Sequence, residues 1–99
     1  MNTGPIHEGP PRPLHTPLIH MNGDSRDGLL DPMEALYLAI GESLDKIGAC
    51  NPNMRNYYPY PDGRARYEAA LARVREWGNR LQLIREEIEA DVEAIAGQK

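Results

Sequence analysis

The chain lacks the features that mark several large classes of protein. One of its 99 residues is a cysteine, Cys50, so no internal disulfide can form and a reducing compartment is expected. No apolar run approaches the roughly 20 residues that a membrane-spanning helix needs. The N-terminus also lacks the basic-then-apolar order of a signal peptide. We therefore predict a soluble, cytoplasmic protein that does not associate with membranes.

Basic charge and metal-ligand patterns are scarce as well. The formal net charge is −4 and the sequence pI is about 5.3, which argues against general nucleic-acid binding because that activity requires a broad basic surface. The three histidines, His7, His15 and His20, all lie in a proline-rich segment, and no pair has the spacing of one helical turn. Zinc requires four converging ligands. We predict neither a metal site nor a cofactor.

Catalytic groups are equally sparse. Cys50 is predicted to lie near a helix C-terminus, where the helix dipole disfavours a thiolate. Ser25 and Ser43 have no evident histidine and acid partners, and no glycine-rich phosphate loop of the Walker type occurs. The chain is therefore predicted not to be an enzyme.

What the sequence does contain begins with an extended arm, residues 1–23. Five of the nine prolines lie here, and each fixes its own φ and biases the preceding residue away from helix. Residues 1–12 are expected to be loose and residues 14–22 to be docked. The docked part offers four apolar side chains for burial: Leu14, Leu18, Ile19 and Met21.

The start of the first helix has two possible positions. Asn22-Gly23 is a turn signal, and Ser25 can cap a short helical turn through Leu30. Asp31, followed by Pro32, forms a cleaner start, with Pro32 at the first helical position. The helix is predicted over about residues 32–48, and the sequence leaves open whether the 25–30 turn joins it. One apolar stripe runs along Leu29, Met33, Leu36, Ile40, Leu44 and Ile47.

A second, longer helix is predicted over residues 62–96, with Asp62 as its N-cap. Its apolar residues repeat at intervals of seven over five heptads, which is typical of a coiled coil. One row contains Tyr67, Val74, Leu81, Ile88 and Ile95, the offset row contains Ala70, Trp77 and Ile84, and Leu71 and Val92 widen the stripe. The predicted fold is all-α: a helical hairpin over residues 24–99, preceded by the extended Pro-rich arm and ending in a long coiled-coil-like helix.

Two arguments favour self-association. The second helix is roughly 50 Å long and the first roughly 25 Å, so the first is expected to cover only the first half of the second. Five large apolar side chains would then be exposed, and each would forgo about 1.5–3 kcal/mol of burial free energy. They are Leu81, Ile84, Ile88, Val92 and Ile95. The second helix is also basic in its first half and acidic in its second, against the preference of the helix dipole. An antiparallel neighbour or a bound anion would offset this arrangement, so we predict a homo-oligomer.

Two segments carry groups that bind polar, planar ligands: Ile19–Ser25, and Asn53–Pro59 in the connector formed by residues 49–62. Tyrosine rings stack on bases, and arginine forks grip phosphate. The candidate ligand-binding residues are His20, Asn22, Arg55, Tyr57, Tyr58 and Arg64. A purely structural interpretation stays open, in which the tyrosines cap the end of the hairpin, Asn22-Gly23 is only a turn and the arginines form a solvated face.

These two segments resemble a family of small, mostly uncharacterised phage and prophage helical proteins. The family's pattern is an arm ending in Ile-His-Met-Asn-Gly-Thr-Ser, a helix, then Arg-Asp-Tyr-Tyr-Pro and a long helix. Residues 19–23, Ser25, Arg55 and residues 57–59 match the pattern, whereas Asp24 and Asn56 depart from it. The resemblance covers residues 16 to about 95 and implies a phage origin, hence the cytoplasm of a host cell.

Two functions follow as hypotheses. In the first, the oligomer sequesters a small anionic ligand, such as a cyclic or ADP-ribose-like nucleotide used as a bacterial immune signal, in a pocket between subunits. Phage proteins that sequester such signals to block host defence are known as anti-defence sponges. The comparison with them is an analogy and does not rest on shared ancestry. In the second, the chain is a virion structural or assembly protein, or a protein-interaction module, that acts through the apolar stripe of the second helix.

Overall fold

The computed structural model describes residues 12–98, and these form two helices joined by a long connector. Helix α1 spans Arg26–Ile47 and helix α2 spans Gly63–Ala96, with 3-10 turns at Gly48–Cys50 and Met54–Asn56 between them. No strand occurs in residues 12–98, so the prediction of an all-α helical hairpin is confirmed. None of the helices in this range is long and apolar enough to cross a membrane. Eleven of the twelve residues expected to be loose, 1–11, lie outside the described range.

Helix α1 begins at the first of its two possible starts. The hydroxyl of Ser25 accepts a hydrogen bond from the backbone N–H of Gly28 at 2.9 Å, and Asp27 places a carboxylate in the positive first turn. Pro32 therefore lies inside the helix instead of starting it. The predicted start at Pro32 is six residues too late, because the cap at Ser25 is sufficient to begin the helix before the proline.

The two helices pack in a register that differs from the expected one. The Arg26 guanidinium, at the start of α1, donates to the backbone carbonyl of Gln98, beyond the end of α2. At the other end of α1, the Ile47 side chain lies against Gly78, near the middle of α2. Helix α1 therefore covers the second half of α2, and the prediction that it covers the first half is wrong.

The connector accounts for this register. It returns along the first half of α2, from Ile47 beside Gly78 to Gly63 at the start of the helix. A 15-residue stretch of α2 is about 22 Å long, a distance that the connector spans easily in its turn-rich form. Ile95, expected to lack a partner, is 2% exposed, and Leu81, Ile88 and Val92 are half-buried. Of the five residues expected to be exposed, only Ile84 remains so, at 45%, and the other four give no argument for self-association.

An arginine between the helices fixes α1 against α2. The Arg85 guanidinium lies 4.1 Å from the centre of the Tyr37 ring and donates to the Tyr37 carbonyl at 3.3 Å. A Cβ at Gly41 would come within 2.6 Å of the same guanidinium, so a larger residue there would have to displace the Arg85 side chain. Arg85 is the one basic residue among the acidic residues of the second half of α2. It stacks on an aromatic face, as arginine commonly does.

The core is thin because two helices and a connector form a single layer. Among the described residues, the apolar side chains that are fully buried are Leu30, Ile40, Val74 and Ile95. The stripe of α2 is divided by the packing. Its first row faces α1 and the connector, whereas Trp77 and Ile84 of the offset row remain 40% and 45% exposed. Apolar surface is thus left uncovered on one flank of α2.

The arm docks mainly through polar contacts with the C-terminal end of α2. The Gln98 side-chain amide donates to the Pro17 carbonyl at 2.8 Å, and its oxygen accepts from the backbone N–H of Ile19 at 2.9 Å. His15 lies 2.9 Å from the Asp91 carboxylate. Ile19 is half-buried as expected, but the side chains of Leu14, Leu18 and Met21 are exposed. The expectation that these three apolar groups hold the arm is therefore wrong.

Gln98→Glu is expected to release the arm. A glutamate retains the acceptor for the Ile19 N–H, but it has no donor for the Pro17 carbonyl and places a carboxylate oxygen against it. Leaving one buried polar group unpaired costs about 1–3 kcal/mol. Amide hydrogen exchange at Ile19 should accelerate in the variant, while exchange in the middle of α1 stays unchanged. Unaltered protection at Ile19 would contradict the role of Gln98 as a clamp.

Candidate functional site

The connector is held in a defined conformation at the start of α2. Asn53 caps the second 3-10 turn, since its side-chain oxygen accepts from the backbone N–H of Arg55 at 2.9 Å. The Tyr57 ring packs edge-on against Tyr67, with the ring centres 6.1 Å apart. Gly63 is buried directly against the Tyr57 carbonyl. These contacts give Tyr57, one of the predicted ligand-binding residues, a packing role.

The next two tyrosines project outward from this anchored segment. Tyr58 is 69% exposed and Tyr60 is 48% exposed. The Arg66 guanidinium lies over the Tyr60 ring, 4.3 Å from its centre, and donates to the Asp62 carboxylate at 2.7 Å. That hydrogen bond lowers the pKa of Asp62 and raises the pKa of Arg66, so both groups are charged at neutral pH.

The start of α2 has a positive character. Asp62 is the N-cap residue, as predicted, but its side chain bonds Arg66 and makes no capping hydrogen bond, and the first turn contains no acidic residue. Arg64 is exposed and forms a 3.4 Å ion pair with Glu68. The first N–H groups of a helix carry partial positive charge. The start of α2 therefore carries Arg64 and the Arg66–Tyr60 stack, and the connector that leads to it carries the exposed residues Arg55 and Tyr58.

The other predicted segment forms a tight turn in the arm. The backbone N–H of Gly23 donates to the His20 carbonyl at 3.2 Å, and the Asn22 N–H donates to the Nδ1 atom of His20 at 3.3 Å. A Cβ at Gly23 would come within 2.8 Å of the His20 ring, which explains the glycine. His20 and Asn22 are both exposed on this turn.

The predicted site residues fall into two groups within one chain. Arg55, Tyr58 and Arg64 lie at the start of α2, whereas His20 and Asn22 follow the part of the arm that Gln98 holds at the end of α2. The helix between them is about 50 Å long. A single chain therefore cannot bring the two groups to one ligand.

No protein-family model, curated protein or solved structure matches this chain. The resemblance to phage and prophage proteins accordingly stays a prediction. Among residues 12–98, no group of three or more histidine, cysteine, aspartate or glutamate side chains has a geometry that could hold a metal ion.

Three residues that were not predicted as site residues also line these surfaces. Tyr60 and Arg66 form the stacked pair beside Tyr58, and the density of tyrosines in the connector was a usable signal for including Tyr60. Trp77 lies farther along α2 in a shallow groove of about 560 Å³, together with Ala70, Arg73 and Arg80. The heptad spacing of Trp77 predicted that it would be buried in the core. The packing of α1 against α2 leaves it partly exposed instead.

Proposed function

We propose that this protein binds and sequesters a small anionic ligand with a planar ring, such as a cyclic or ADP-ribose-like nucleotide. Exposed Tyr58 supplies a stacking surface. Arg55 and Arg64 supply the charge for phosphate at the start of α2. Capture without conversion agrees with the absence of a candidate nucleophile or general base in the sequence. On the resemblance to phage proteins, the ligand would be a nucleotide signal of bacterial defence.

The exposure of Tyr58 and Tyr60 beside arginines is the observation that carries this proposal. Large aromatic side chains usually bury most of their surface, and exposed apolar groups that cluster mark interaction sites. The surrounding charge is unusual for this chain, which has a net charge of −4. An anion would also interact favourably with the positive end of α2, whose first turn contains no acidic residue. Tyr57 supports the site indirectly, because it anchors the connector against Tyr67.

Isothermal titration calorimetry with a panel of cyclic nucleotides and ADP-ribose derivatives tests the proposal. We expect one or more members to bind, and Tyr58→Ala to weaken that binding about 5- to 150-fold, because stacking of one base contributes about 1–3 kcal/mol. Arg64→Ala should weaken it and reduce its salt dependence. Arg75→Ala, which removes an exposed arginine 11 residues farther along the same helix, is the matched control. The absence of heat with every member of the panel would remove the proposal.

The second candidate function, a protein-interaction or virion assembly role, is favoured by the exposed apolar residues of α2. These are Trp77, Leu83 and Ile84. Ile88 and Val92, which the sequence placed on the working surface, are half-buried against the rest of the hairpin and are unsuitable for testing it. Substitution of Leu83 or Ile84 should abolish an interaction role, whereas Tyr58→Ala should leave it intact.

A further inference from the structure

One flank of α2 carries a second apolar row that no part of the described chain covers. Ala70, Trp77 and Ile84 follow one another at intervals of seven residues. We call these three residues the outer seam. Its two large side chains, Trp77 and Ile84, are 40% and 45% exposed. Sevenfold spacing on one face of a long helix is the pattern by which helices pair.

The charges beside the outer seam specify what can cover it. Arg66, Arg73 and Arg80 also repeat at intervals of seven and lie on the same flank as the seam, and Glu87 and Asp91 follow them toward the C-terminus. A parallel copy of α2 would place the arginine row against itself. An antiparallel copy would place Arg66 and Arg73 near the partner's Glu87 and Asp91.

The charge of the whole helix favours the same orientation. Residues 63–80 contain five arginines and two glutamates, a net charge of +3, whereas residues 81–98 contain one arginine and five acidic residues, a net charge of −4. Helix α1, which packs on the acidic half, adds further acidic residues. When the basic half of one copy pairs with the acidic half of another, the net positive and net negative charges offset each other. Their attraction also favours this orientation when the two copies meet.

We propose that two copies of this chain pair antiparallel along the outer seam, and that the pairing assembles two ligand sites. Because α2 runs the length of the molecule, an antiparallel copy brings the arm turn at residues 20–23 of one chain to the connector of the other. Each site then combines Tyr58 and Arg64 of one chain with Asn22 of its partner. This second part rests on the proposed ligand-binding function, whereas the dimer itself does not.

The first test is the mass in solution, measured by sedimentation equilibrium of the full chain. Wild type should have at least the mass of a dimer. Ile84→Glu should shift it to a monomer, because a charge would be buried in the seam. The matched control is Leu38→Glu on the exposed face of α1, which should leave the mass unchanged. A monomeric wild type, or an Ile84→Glu variant that still associates, would overturn the pairing.

A charge exchange tests which residues face each other. Arg73→Glu should raise the dimer dissociation constant at least tenfold at low salt. Adding Glu87→Arg to the same chain should restore much of the affinity. In the antiparallel pair, residue 73 of each chain faces residue 87 of the other, so both contacts regain opposite charges. Failure of the second substitution to restore any affinity would count against this register. Far-ultraviolet circular dichroism of each variant establishes that the helices are intact.

Spin-label distances test the orientation. Cys50 is first replaced by serine, and one new cysteine is placed at Asn79 or at Glu68, both exposed. Both positions face away from the outer seam. In an antiparallel pair the two labels at Asn79 lie at nearly the same height along the pair axis, whereas the two labels at Glu68 are offset along that axis by about 30 Å more, because 11 residues of helix separate the positions in each chain. The distance between the labels is therefore longer at Glu68 than at Asn79. Equal distances at the two positions would show a parallel pair and overturn the proposal.

Mixing two weakened variants tests the shared sites. Tyr58→Ala removes the stacking surface and Asn22→Ala removes the polar group of the arm. A mixed dimer of these chains contains one intact site, so calorimetry of the mixture should recover nucleotide binding of wild-type affinity, which neither variant has alone. Binding by wild type without recovery in the mixture would overturn the shared site. A wild-type dimer that binds no nucleotide would instead remove the proposed function and leave the dimer standing.

Discussion

Ile95→Ala should destabilise the hairpin more than any other truncation of an apolar side chain in the described residues. Ile95 is 2% exposed, and it lies where α1, α2 and the arm meet, beside Leu29 and Met33. A partly open pocket of about 140 Å³ lies beside it. Removing three carbon atoms from a buried isoleucine costs about 2–5 kcal/mol. That loss is a large part of the 5–15 kcal/mol by which small proteins are stable.

Urea denaturation followed by circular dichroism measures this loss, at several protein concentrations because an associating chain has a concentration-dependent stability. Leu38→Ala is the control: it truncates a side chain that is 65% exposed, and it should change the free energy of unfolding by less than about 0.5 kcal/mol. Equal effects of the two substitutions would mean that the junction of arm and helices does not form the core.

Gly63→Ala should disturb the connector and, with it, the proposed ligand site. A Cβ at Gly63 would overlap the Tyr57 carbonyl oxygen and press on the backbone of Tyr58. Backbone atoms cannot rotate away as a flexible side chain can. Overpacking of this kind costs about 1–3 kcal/mol. The packing of Tyr57 on Tyr67 should loosen, and the exposed Tyr58 ring should lose its fixed position.

Gly48→Ala is the matched control for Gly63→Ala. Gly48 follows α1, no neighbouring atom lies within 4 Å of a Cβ at that position, and its φ of −57° suits any residue. Alanine there should leave stability unchanged or raise it by about 0.4–1 kcal/mol. Thermal unfolding of the two variants measures the difference, and proton NMR of the tyrosine rings reports on the connector. A Gly63→Ala variant as stable as wild type would contradict the close contact.

The positions of the helices were largely open to prediction from local sequence. Helix α2 was expected over residues 62–96 and occupies Gly63–Ala96, because sevenfold apolar spacing persists over its full length. The start of α1 was ambiguous, since Ser25 and Asp31 are both suitable caps. Local sequence could not decide between them, because the choice depends on whether the first turn packs on something. Here Leu30 is buried and Arg26 reaches Gln98.

The candidate site was open to prediction only in part. The aromatic and basic character of the connector could be deduced from composition, but the outward direction of Tyr58 and the packing role of Tyr57 could not. They depend on Gly63 and Tyr67, which follow the connector in sequence and fix it in space. The arm shows the same limit. Its prolines predicted an extended segment, but its attachment depends on Gln98, 79 residues from Ile19 along the chain.

The sequence by itself determined that two amphipathic helices form, how long the second one is and how charge is distributed along it. These are local properties, set by side-chain periodicity and capping. Only the tertiary structure decided that α1 packs on the acidic half of α2, which buries Ile95 and leaves Trp77 and Ile84 outside. The path of the connector sets that register, and a helix pattern cannot encode it, because either half of a continuous apolar stripe offers the same contacts to a shorter helix.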